Sequence, residues 1–265
     1  MDDQKTWLAG VFDRAAPTYD RIGDEYHAHF AERLIDLADV ENDASLLDVA
    51  CGRGAVMLAA AERGIGRLTG IDVSATMIDL AAADLRAAGV VDADLRVMDA
   101  ENLDFPDARF DALTAAFVLF FLPDPVRAAA EFQRVLCPGG VVAVSTWGRE
   151  DDRWSFENDL LAAAGSPRLR AVQQPFDRAE EVVDLLVGAG FADIQVHQEE
   201  AEIHFASKQQ WWDWHWSFSV RGLLEQLEPD AVSAYRDACF EEMDALKTDS
   251  GYPLELAAHI VTGRK

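Results

Sequence analysis

The sequence predicts an α/β fold in which helices cover both faces of a mostly parallel β-sheet. Between residues 41 and 150, short apolar runs alternate with stretches of helical spacing. These runs are continuously apolar, which is typical of strands buried on both faces. The chain has 265 residues, of which 50% are hydrophobic and 27% charged, so it is long and apolar enough to bury a globular core.

Residues 1–40 are predicted to be helical, because their last ten positions carry an apolar face close to helical spacing. Strands are then predicted at 46–50, 67–72, 95–98, 111–117 and 141–146, and helices at 55–63 and 74–88. Ser74 is a suitable N-cap for the second of these helices. A further helix is expected to open at Pro123 or Pro125 and to end at the turn signal of residues 137–140.

The last third of the chain departs from this alternation. Helices are predicted near 154–164, 179–189, 208–226 and 230–246, and strands at 194–196 and 256–261. The sequence shows neither an internal repeat nor a clear linker. We therefore expect a single domain over residues 1–265, with N-terminal lid helices in 1–40, a ligand-binding core in 41–150, and cap helices with the final strands in 151–265.

Charge and cysteine content narrow the class of protein. Asp and Glu number 48 against 23 Lys and Arg, a net charge of −25 that disfavours nucleic acids and anionic membranes as partners. The cysteines Cys51, Cys137 and Cys239 fit neither a disulfide framework nor a zinc motif, which favours a reducing cytoplasm. The longest apolar run, 112–122, is too short for a membrane span, and residues 1–5 do not resemble a signal peptide.

A glycine-containing loop follows the first predicted strand, with the sequence Asp-Val-Ala-Cys-Gly-Arg-Gly over residues 48–54. Such a loop lets a ligand approach the backbone at a helix N-terminus. Met57 occupies the third glycine position of a dinucleotide fingerprint, and the Lys and Ser/Thr of a P-loop are missing. Asp48 would repel a pyrophosphate and attract an ammonium or sulfonium group. An oxidoreductase with a nucleotide cofactor is therefore the less favoured alternative.

Aspartates also end the second and third predicted strands. A carboxylate at Asp72 is placed to accept hydrogen bonds from ribose hydroxyls, and one at Asp99 to accept from an adenine amino group. Any one of them is as readily explained as a turn or helix-capping residue. Together with Asp48, at the carboxyl edge of a parallel sheet, they predict a site for a cationic nucleoside ligand.

These motifs resemble those of class I S-adenosylmethionine-dependent methyltransferases, in the branch that includes the ubiquinone and menaquinone biosynthesis enzymes. The matching segments, which lie between about residues 10 and 150, are 12–20, 48–54, 70–74 with Met77, 98–101, 110–112 and 134–140. The resemblance implies a Rossmann-like, doubly wound, mostly parallel seven-stranded sheet with an antiparallel last strand, an N-terminal helical lid and a C-terminal helical cap. It further implies a small-molecule methyltransferase of biosynthesis that converts S-adenosylmethionine to S-adenosylhomocysteine without a metal.

The resemblance also implies which residues hold the cofactor. Asp48 and the backbone of Ala50, Gly52 and Gly54 would bind its methionine part, although many relatives have glycine in place of Ala50. The ribose would lie on Asp72 and the adenine against Val73 and Met77. The adenine edge would meet Asp99 and Ala100, and the amino-acid end would meet Ala116. Tyr19, in the lid, would cover the cofactor.

Aromatic residues outside the cofactor motifs indicate a small, aromatic or hydrophobic methyl acceptor. The candidate substrate contacts are His27, Phe117, Phe121, Trp147, Trp211, Trp212 and Trp216. The tryptophan-rich segment 211–218 has helical spacing, which is also typical of aromatic residues that pack in the core, so core packing is the alternative for its tryptophans.

Two histidines are candidates for a general base. An acceptor that carries a proton would need such a base, and we expect His215 to be it, with His27 as the second candidate and simple packing of His215 as the alternative. His27 and His29 diverge on a helix, which argues against a metal site between them.

The acceptor atom, oxygen, nitrogen or carbon, stays open at this point, as does the oligomeric state. A noncatalytic protein that only binds S-adenosylmethionine remains the alternative of a different class. Turnover of the cofactor to S-adenosylhomocysteine separates the two.

Overall fold

The computed structural model describes residues 3–166 and 176–265. The helices are α1 (Asp3–Ala15), α2 (Tyr26–Ala38), α3 (Ala55–Glu62), α4 (Ala75–Ala87), α5 (Pro125–Val135), α6 (Phe156–Ala163), α7 (Ala179–Gly188), α8 (Lys208–His215), α9 (Arg221–Leu224) and α10 (Pro229–Glu242). The strands are β1 (Ser45–Val49), β2 (Arg67–Asp72), β3 (Asp94–Val97), β4 (Phe110–Ala116), β5 (Leu136–Trp147), β6 (Ala192–Phe205) and β7 (Tyr252–Arg264). Short 3₁₀ turns cover Leu119–Phe121, Asp152–Trp154 and Met243–Leu246.

Within the described ranges, the strands form one seven-stranded sheet in the order β3-β2-β1-β4-β5-β7-β6. The first five strands in sequence pair in parallel, whereas β7 is antiparallel to both β5 and β6. This arrangement confirms the predicted doubly wound sheet with an antiparallel last strand. The strand order reverses between β1 and β4, so a crevice opens at their carboxyl ends, where sheets of this kind bind ligands.

Apolar residues on both faces of the sheet explain why helices cover both. On β1, Leu46 packs with Leu34 and Met57 on the side of α2 and α3, while its neighbour Leu47 packs with Phe132 and the helices α5 and α7 on the other side. Every residue of β1 is buried. This strand was predicted from a continuous apolar run, and it needs apolar residues on both faces because helices cover the sheet on both sides.

Local capping fixes the helices that border the crevice. The hydroxyl of Ser74 accepts a hydrogen bond from the backbone N–H of Met77, so Ser74 is the N-cap of α4, as predicted. Helix α5 begins at Pro125 with Asp124 as its N-cap. Residues 137–140, predicted as a turn, already belong to β5 and lead into its buried portion.

The last third of the chain differs from its prediction in two places. The predicted strand 194–196 is only part of β6, which extends over 14 residues as a largely exposed edge strand. The tryptophan-rich helix predicted at 208–226 is two helices, α8 and α9. The tryptophans of α8 and the leucines of α9 form, with parts of α2, α6, α10, β6 and β7, a third hydrophobic cluster, here called the cap cluster. Among the described residues, no helix is long and apolar enough to cross a membrane.

Candidate active site

Two clefts meet at the carboxyl edge of the sheet. The α1 cleft, of about 760 Å³ including space open to solvent, lies beneath Lys5, Leu8 and Phe12 of α1. The α2 cleft, of about 990 Å³ counted in the same way, lies between α2 and α3. The two clefts share one wall, here called the junction, which is made of Tyr19, Ala50, Gly52, Ala116 and Phe117.

The loop between β1 and α3 exposes its backbone to the junction. Ala50, Gly52 and Gly54 have φ angles of 56°, 51° and 89°, in the left-handed region that favours glycine. Ala50 therefore adopts a backbone conformation that glycine would adopt at a lower steric cost. Gly54 is the N-cap of α3 and makes the turn into that helix, but it lines neither of the two clefts in the described structure.

Asp72 ties this loop to the end of β2. Its two carboxylate oxygens accept backbone N–H groups from Gly52, at 3.0 Å, and from Ser74, at 2.9 Å. Burial raises the pKa of Asp72 to about 6, against the opposing effect of these hydrogen bonds. The side chain lies at the wall of the α1 cleft, beside Val73 and Met77.

Asp48 is buried at the end of β1, and only one of its two carboxyl oxygens has a hydrogen-bond partner within the described ranges. Its Oδ1 accepts the hydroxyl of Thr114 at 2.8 Å, and its Oδ2 has no hydrogen-bond partner among the described residues. Burial raises the pKa of Asp48 to about 7. A buried carboxylate oxygen without a partner is costly, so this position favours a ligand that brings a cation or a hydrogen-bond donor.

Asp99, at the far end of the α1 cleft, is held by a residue that sequence reasoning missed. Its Oδ1 accepts the backbone N–H of Glu101 at 3.0 Å, and its Oδ2 lies 2.7 Å from Nζ of Lys5. Lys5 also reaches Oε2 of Glu101 at 2.5 Å. Ala100, between the two carboxylates, lines the same cleft. Lys5 lies more than 90 positions before these carboxylates, so no local sequence pattern could predict the contact.

Further contacts hold α1 and the segment after it against the core. Oδ1 of Asp13 accepts the Ser74 hydroxyl at 2.6 Å and the backbone N–H of Thr76 at 3.1 Å. Arg14 pairs with Glu225 of the cap at 2.5 Å. The α1 cleft is consequently covered by a helix that is attached on both sides.

Tyr19, Asp20 and His27 form a chain of hydrogen bonds next to the junction. The hydroxyl of Tyr19 is 3.0 Å from Nε2 of His27, and Nδ1 of His27 is 3.0 Å from Oδ1 of Asp20. His27 was predicted as a substrate contact and second candidate base, and Tyr19 as a cover over the cofactor. Their linkage through Asp20 is a feature that the sequence did not reveal.

The predicted aromatic residues near the end of β4 lie at the site. Phe117 and Phe121 line the α1 cleft, and Phe121 meets Phe12 of α1 with ring centroids 5.4 Å apart. Phe117 has a φ angle of 51°, in the left-handed region, which is a strained conformation for a bulky residue. Trp147 stacks behind it at 4.0 Å, so Trp147 supports the junction without lining either cleft in the described structure.

The tryptophans of the cap correct one expectation. In the described structure, Trp211, Trp212 and Trp216 line neither cleft. They belong to the cap cluster, where Trp211 stacks on Trp154 at 6.0 Å and Trp212 contacts Tyr235. The apolar side of α8 is occupied by this packing, so the stripe of aromatic residues serves as core.

His215 is likewise placed away from the two clefts. The side chain is buried in the cap cluster, with Nε2 3.2 Å from Oε2 of Glu157 and Nδ1 3.2 Å from the carbonyl oxygen of Trp211. Glu157 also accepts the indole N–H of Trp211 at 3.1 Å. Both ring nitrogens have partners within the cap, so the structure favours packing, the alternative given for His215, over its predicted role as the catalytic base.

The comparisons with known proteins agree with this geometry. The methyltransferase domain family matches residues 47–144, which hold the glycine loop and all three strand-end aspartates. Nocamycin O-methyltransferase of Saccharothrix syringae is 32% identical, over 96% of this chain and 97% of its own length. The chain belongs to the S-adenosylmethionine-dependent methyltransferase family. Aklanonic acid methyltransferase of a Streptomyces species, strain C5, is 35% identical to this methyltransferase. The match covers 72% of the methyltransferase described here and 94% of the relative.

The fold itself is shared more widely than the reaction. The [4+2]-cyclase SpnF superposes on the methyltransferase with a TM-score of 0.55, at 26% identity, over 88% of this chain and 80% of that one. Function therefore has to be argued from the site. In the described ranges of the methyltransferase, no group of three or more His, Cys, Asp and Glu residues is arranged to hold a metal ion.

Proposed function

We propose that this methyltransferase transfers a methyl group from S-adenosylmethionine to an oxygen atom of a small, flat, apolar acceptor in a biosynthetic reaction. The observation that carries the proposal is the junction, where a cleft edged by carboxylates meets a second cleft beside the stacked rings of Phe117 and Trp147. When bound, S-adenosylmethionine supplies an electrophilic methyl group and its sulfur keeps the electron pair of the broken bond.

The residues present fit this cofactor. Nine of the predicted cofactor residues line the α1 cleft, namely Tyr19, Ala50, Gly52, Asp72, Val73, Met77, Asp99, Ala100 and Ala116. We assign Asp72 to the ribose hydroxyls, Val73 and Met77 to the adenine face, and Asp99 with Ala100 to the adenine edge. The buried, unpartnered Oδ2 of Asp48 supports its assignment to the cationic methionine end.

The same set of residues orients the ligands and excludes water. Helix α1 covers the α1 cleft, and Tyr19 covers the junction from the segment that follows it. Methyl transfer gains most from close approach and alignment of the two reacting atoms, and both depend on such an enclosed site. Phe117 and Phe121 offer apolar ring surfaces to a flat acceptor next to the junction.

Assignment to oxygen rests on the relative that matches nearly the whole chain, whose name specifies an O-methyltransferase. That match extends through the last third of the chain, where substrate choice usually resides in this family. The acidic surface, with a net charge of −25, supports a small acceptor over a nucleic acid.

The test is turnover with probes that offer more than one nucleophilic atom. We would incubate the protein and S-adenosylmethionine with 1,3-dihydroxynaphthalene and hydroxyanthraquinones, measure S-adenosylhomocysteine by mass spectrometry, and locate the new methyl group by NMR. Methyl ethers that form with the wild type and in lower yield with Asp72→Asn would support the proposal. Ring methylation would contradict the oxygen assignment, and tight binding of the cofactor without any S-adenosylhomocysteine across the probes would favour a noncatalytic binding protein.

A further inference from the structure

We infer that Tyr19, His27 and Asp20 form a proton relay that takes the proton from the acceptor hydroxyl at the junction. The inference rests on the proposed O-methylation and assigns its proton-transfer step. Tyr19 is the residue that meets the acceptor, whereas His27 and Asp20 act through it.

The hydrogen bonds give the relay a direction. Asp20 as a carboxylate can only accept, so the 3.0 Å contact from Oδ1 to Nδ1 of His27 places the ring proton on Nδ1. Nε2 then holds a free electron pair and accepts the hydroxyl of Tyr19, also at 3.0 Å. The Tyr19 oxygen is left with its own lone pairs to accept a further proton.

The surroundings hold these three groups in place. The side chains of Asp20 and His27 are each 12% exposed, so their contact is largely shielded from water. The imidazole lies between aromatic rings, with its centroid 4.2 Å from that of Tyr26 and 6.2 Å from that of Phe117. Phe117 belongs to the junction, so the relay ends beside the proposed acceptor position.

Tyr19 is suited to pass a proton because it does not rest as an anion. Burial, together with the nearby charges of Asp20 and Asp72, raises the pKa of the Tyr19 phenol well above its ordinary value. The hydroxyl therefore stays protonated at neutral pH and can only exchange one proton for another. His27, which contacts the Asp20 carboxylate through Nδ1, is the group that keeps the proton.

The acceptor oxygen gives its proton to the Tyr19 oxygen while the Tyr19 proton moves to Nε2 of His27. The electron pair of the acceptor O–H bond stays on the acceptor oxygen and forms the new bond to the methyl carbon. The reaction ends with neutral Tyr19 and an imidazolium at His27, which the Asp20 carboxylate stabilises.

Other titratable groups near His27 enter the design of the test. The α2 cleft is also lined by Arg21 and Arg53, which both pair with Asp84, and by Glu25, Glu32, Cys51, Glu62 and Asp48. Burial raises the pKa of Asp48 to about 7. A pH profile of the wild type alone would therefore mix Asp48 with the relay, so each variant is compared with the wild type at the same pH.

The first measurement needs no acceptor. With ¹⁵N-labelled histidine and bound S-adenosylhomocysteine, we expect neutral His27 to carry its proton on Nδ1, with Nε2 unprotonated. The His27 signals are assigned by their loss in His27→Gln. Asp20→Ala should abolish the preference for the Nδ1–H form. A His27 that carries its proton on Nε2 would overturn the relay, because that nitrogen could not accept from Tyr19.

The second measurement uses 1,3-dihydroxynaphthalene as the probe. His27→Gln should lower kcat by a hundred- to ten-thousandfold at pH 7, and the loss should shrink toward about pH 10, where a phenol ionises without help. His29→Gln is the matched control, since His29 lies on the same helix with a side chain 42% exposed and should leave kcat unchanged. A loss in His27→Gln that is equal to that in His29→Gln, or that is the same at every pH, would overturn the relay.

The two measurements separate this inference from the proposed function. Wild-type turnover to a methyl ether with a normal His27→Gln variant would leave O-methylation standing and remove the relay. Absence of wild-type turnover across the probes would contradict the proposed acceptor, and the tautomer of His27 would then decide the relay by itself.

Discussion

The ammonium group of Lys5 lies 2.7 Å from the carboxylate of Asp99, the residue predicted to read the adenine edge. A second carboxylate, Glu101, lies 2.5 Å from the same nitrogen. Burial by itself would lower the pKa of Lys5, but its hydrogen bonds and charge interactions with Asp99 and Glu101 raise it above the ordinary value. Lys5 therefore stays charged and attaches the first turn of α1 to the loop after β3.

Replacing Lys5 by Met should loosen this attachment. Two carboxylates would lose their shared partner, at a cost of about 1–3 kcal/mol in unfolding free energy, and amide exchange in residues 3–15 should accelerate. We expect the Kd for S-adenosylhomocysteine to rise several-fold in calorimetry, with Lys5→Arg close to the wild type. Tighter binding by Lys5→Met would show instead that Lys5 competes with the adenine for Asp99.

Asp72→Asn should weaken cofactor binding while the fold is kept. The change removes the charge that strengthens hydrogen bonds from ribose hydroxyls, and we expect a ten- to hundredfold higher Kd for S-adenosylmethionine. Calorimetry gives the Kd, and circular dichroism checks that the loop bonds to Gly52 and Ser74 still support a folded domain. An unchanged Kd would mean that Asp72 only fixes the loop.

The raised pKa of Asp48 predicts how stability and affinity change with pH. Since the folded pKa, about 7, exceeds the unfolded value, the folded protein without ligand binds more protons, and its stability falls as pH rises from about 4 to 7. Asp72, at about 6, acts in the same direction. A cationic cofactor favours the ionised carboxylates, so affinity should rise over the upper part of this window, with release of protons on binding.

Calorimetry in buffers of different ionisation enthalpy measures this proton release directly. Asp48→Asn should reduce it and flatten the pH dependence of both stability and affinity. Proton release of the same size in Asp48→Asn would assign the linkage to another group, with Asp72 the next to be tested.

His215→Ala should destabilise the cap without affecting the cofactor. The substitution leaves Glu157 and the carbonyl oxygen of Trp211 without their partner in a buried cluster. We expect a loss of about 1–3 kcal/mol, seen as a lower Tm, and an unchanged Kd for S-adenosylhomocysteine. A stable variant with much lower kcat would return His215 to the mechanism.

Gly70→Ala should be destabilising because β2 passes directly beneath Met57. A Cβ at position 70 would lie 2.6 Å from Sδ of Met57 and 2.9 Å from Cδ2 of Leu95. Overpacking of this kind costs about 1–3 kcal/mol. In a double-mutant cycle, Met57→Ala should recover part of that loss, measured by urea unfolding, and strict additivity would mean that the backbone moves instead.

The same contact shows what the sequence could reveal and what it could not. Met57 was identified as a break in the dinucleotide fingerprint, but its packing against Gly70 is visible only in the fold. Strands β1, β2 and β4 were predicted nearly in place because each is a mostly apolar, mostly buried run. β5 begins at Leu136, before its predicted start at residue 141, because the turn signal of residues 137–140 lies within the strand. β6 was mostly missed, since an exposed edge strand rich in Glu and Gln has no such run.

Contacts between residues far apart in the sequence could not be predicted either. The three aspartates and the glycine loop were found because each ends a strand or opens a helix. The partners that complete the candidate site, Lys5 with Asp99 and Thr114 with Asp48, lie far apart in sequence and follow no period. His215 shows the converse, because helical spacing placed it correctly among aromatic residues without indicating which side of α8 faces the sheet.

The attachment of α1 on both sides of its cleft constrains the order of events in a catalytic cycle. Lys5 holds one end of this helix to the loop after β3, and Asp13 with Arg14 holds the other end to α4 and the cap, whereas the α2 cleft lies between α2 and α3. We therefore expect exchange of spent for fresh cofactor to require undocking of this helix. Such undocking predicts ordered steady-state kinetics, with the cofactor entering first and leaving last, and a turnover rate that falls as solvent viscosity rises.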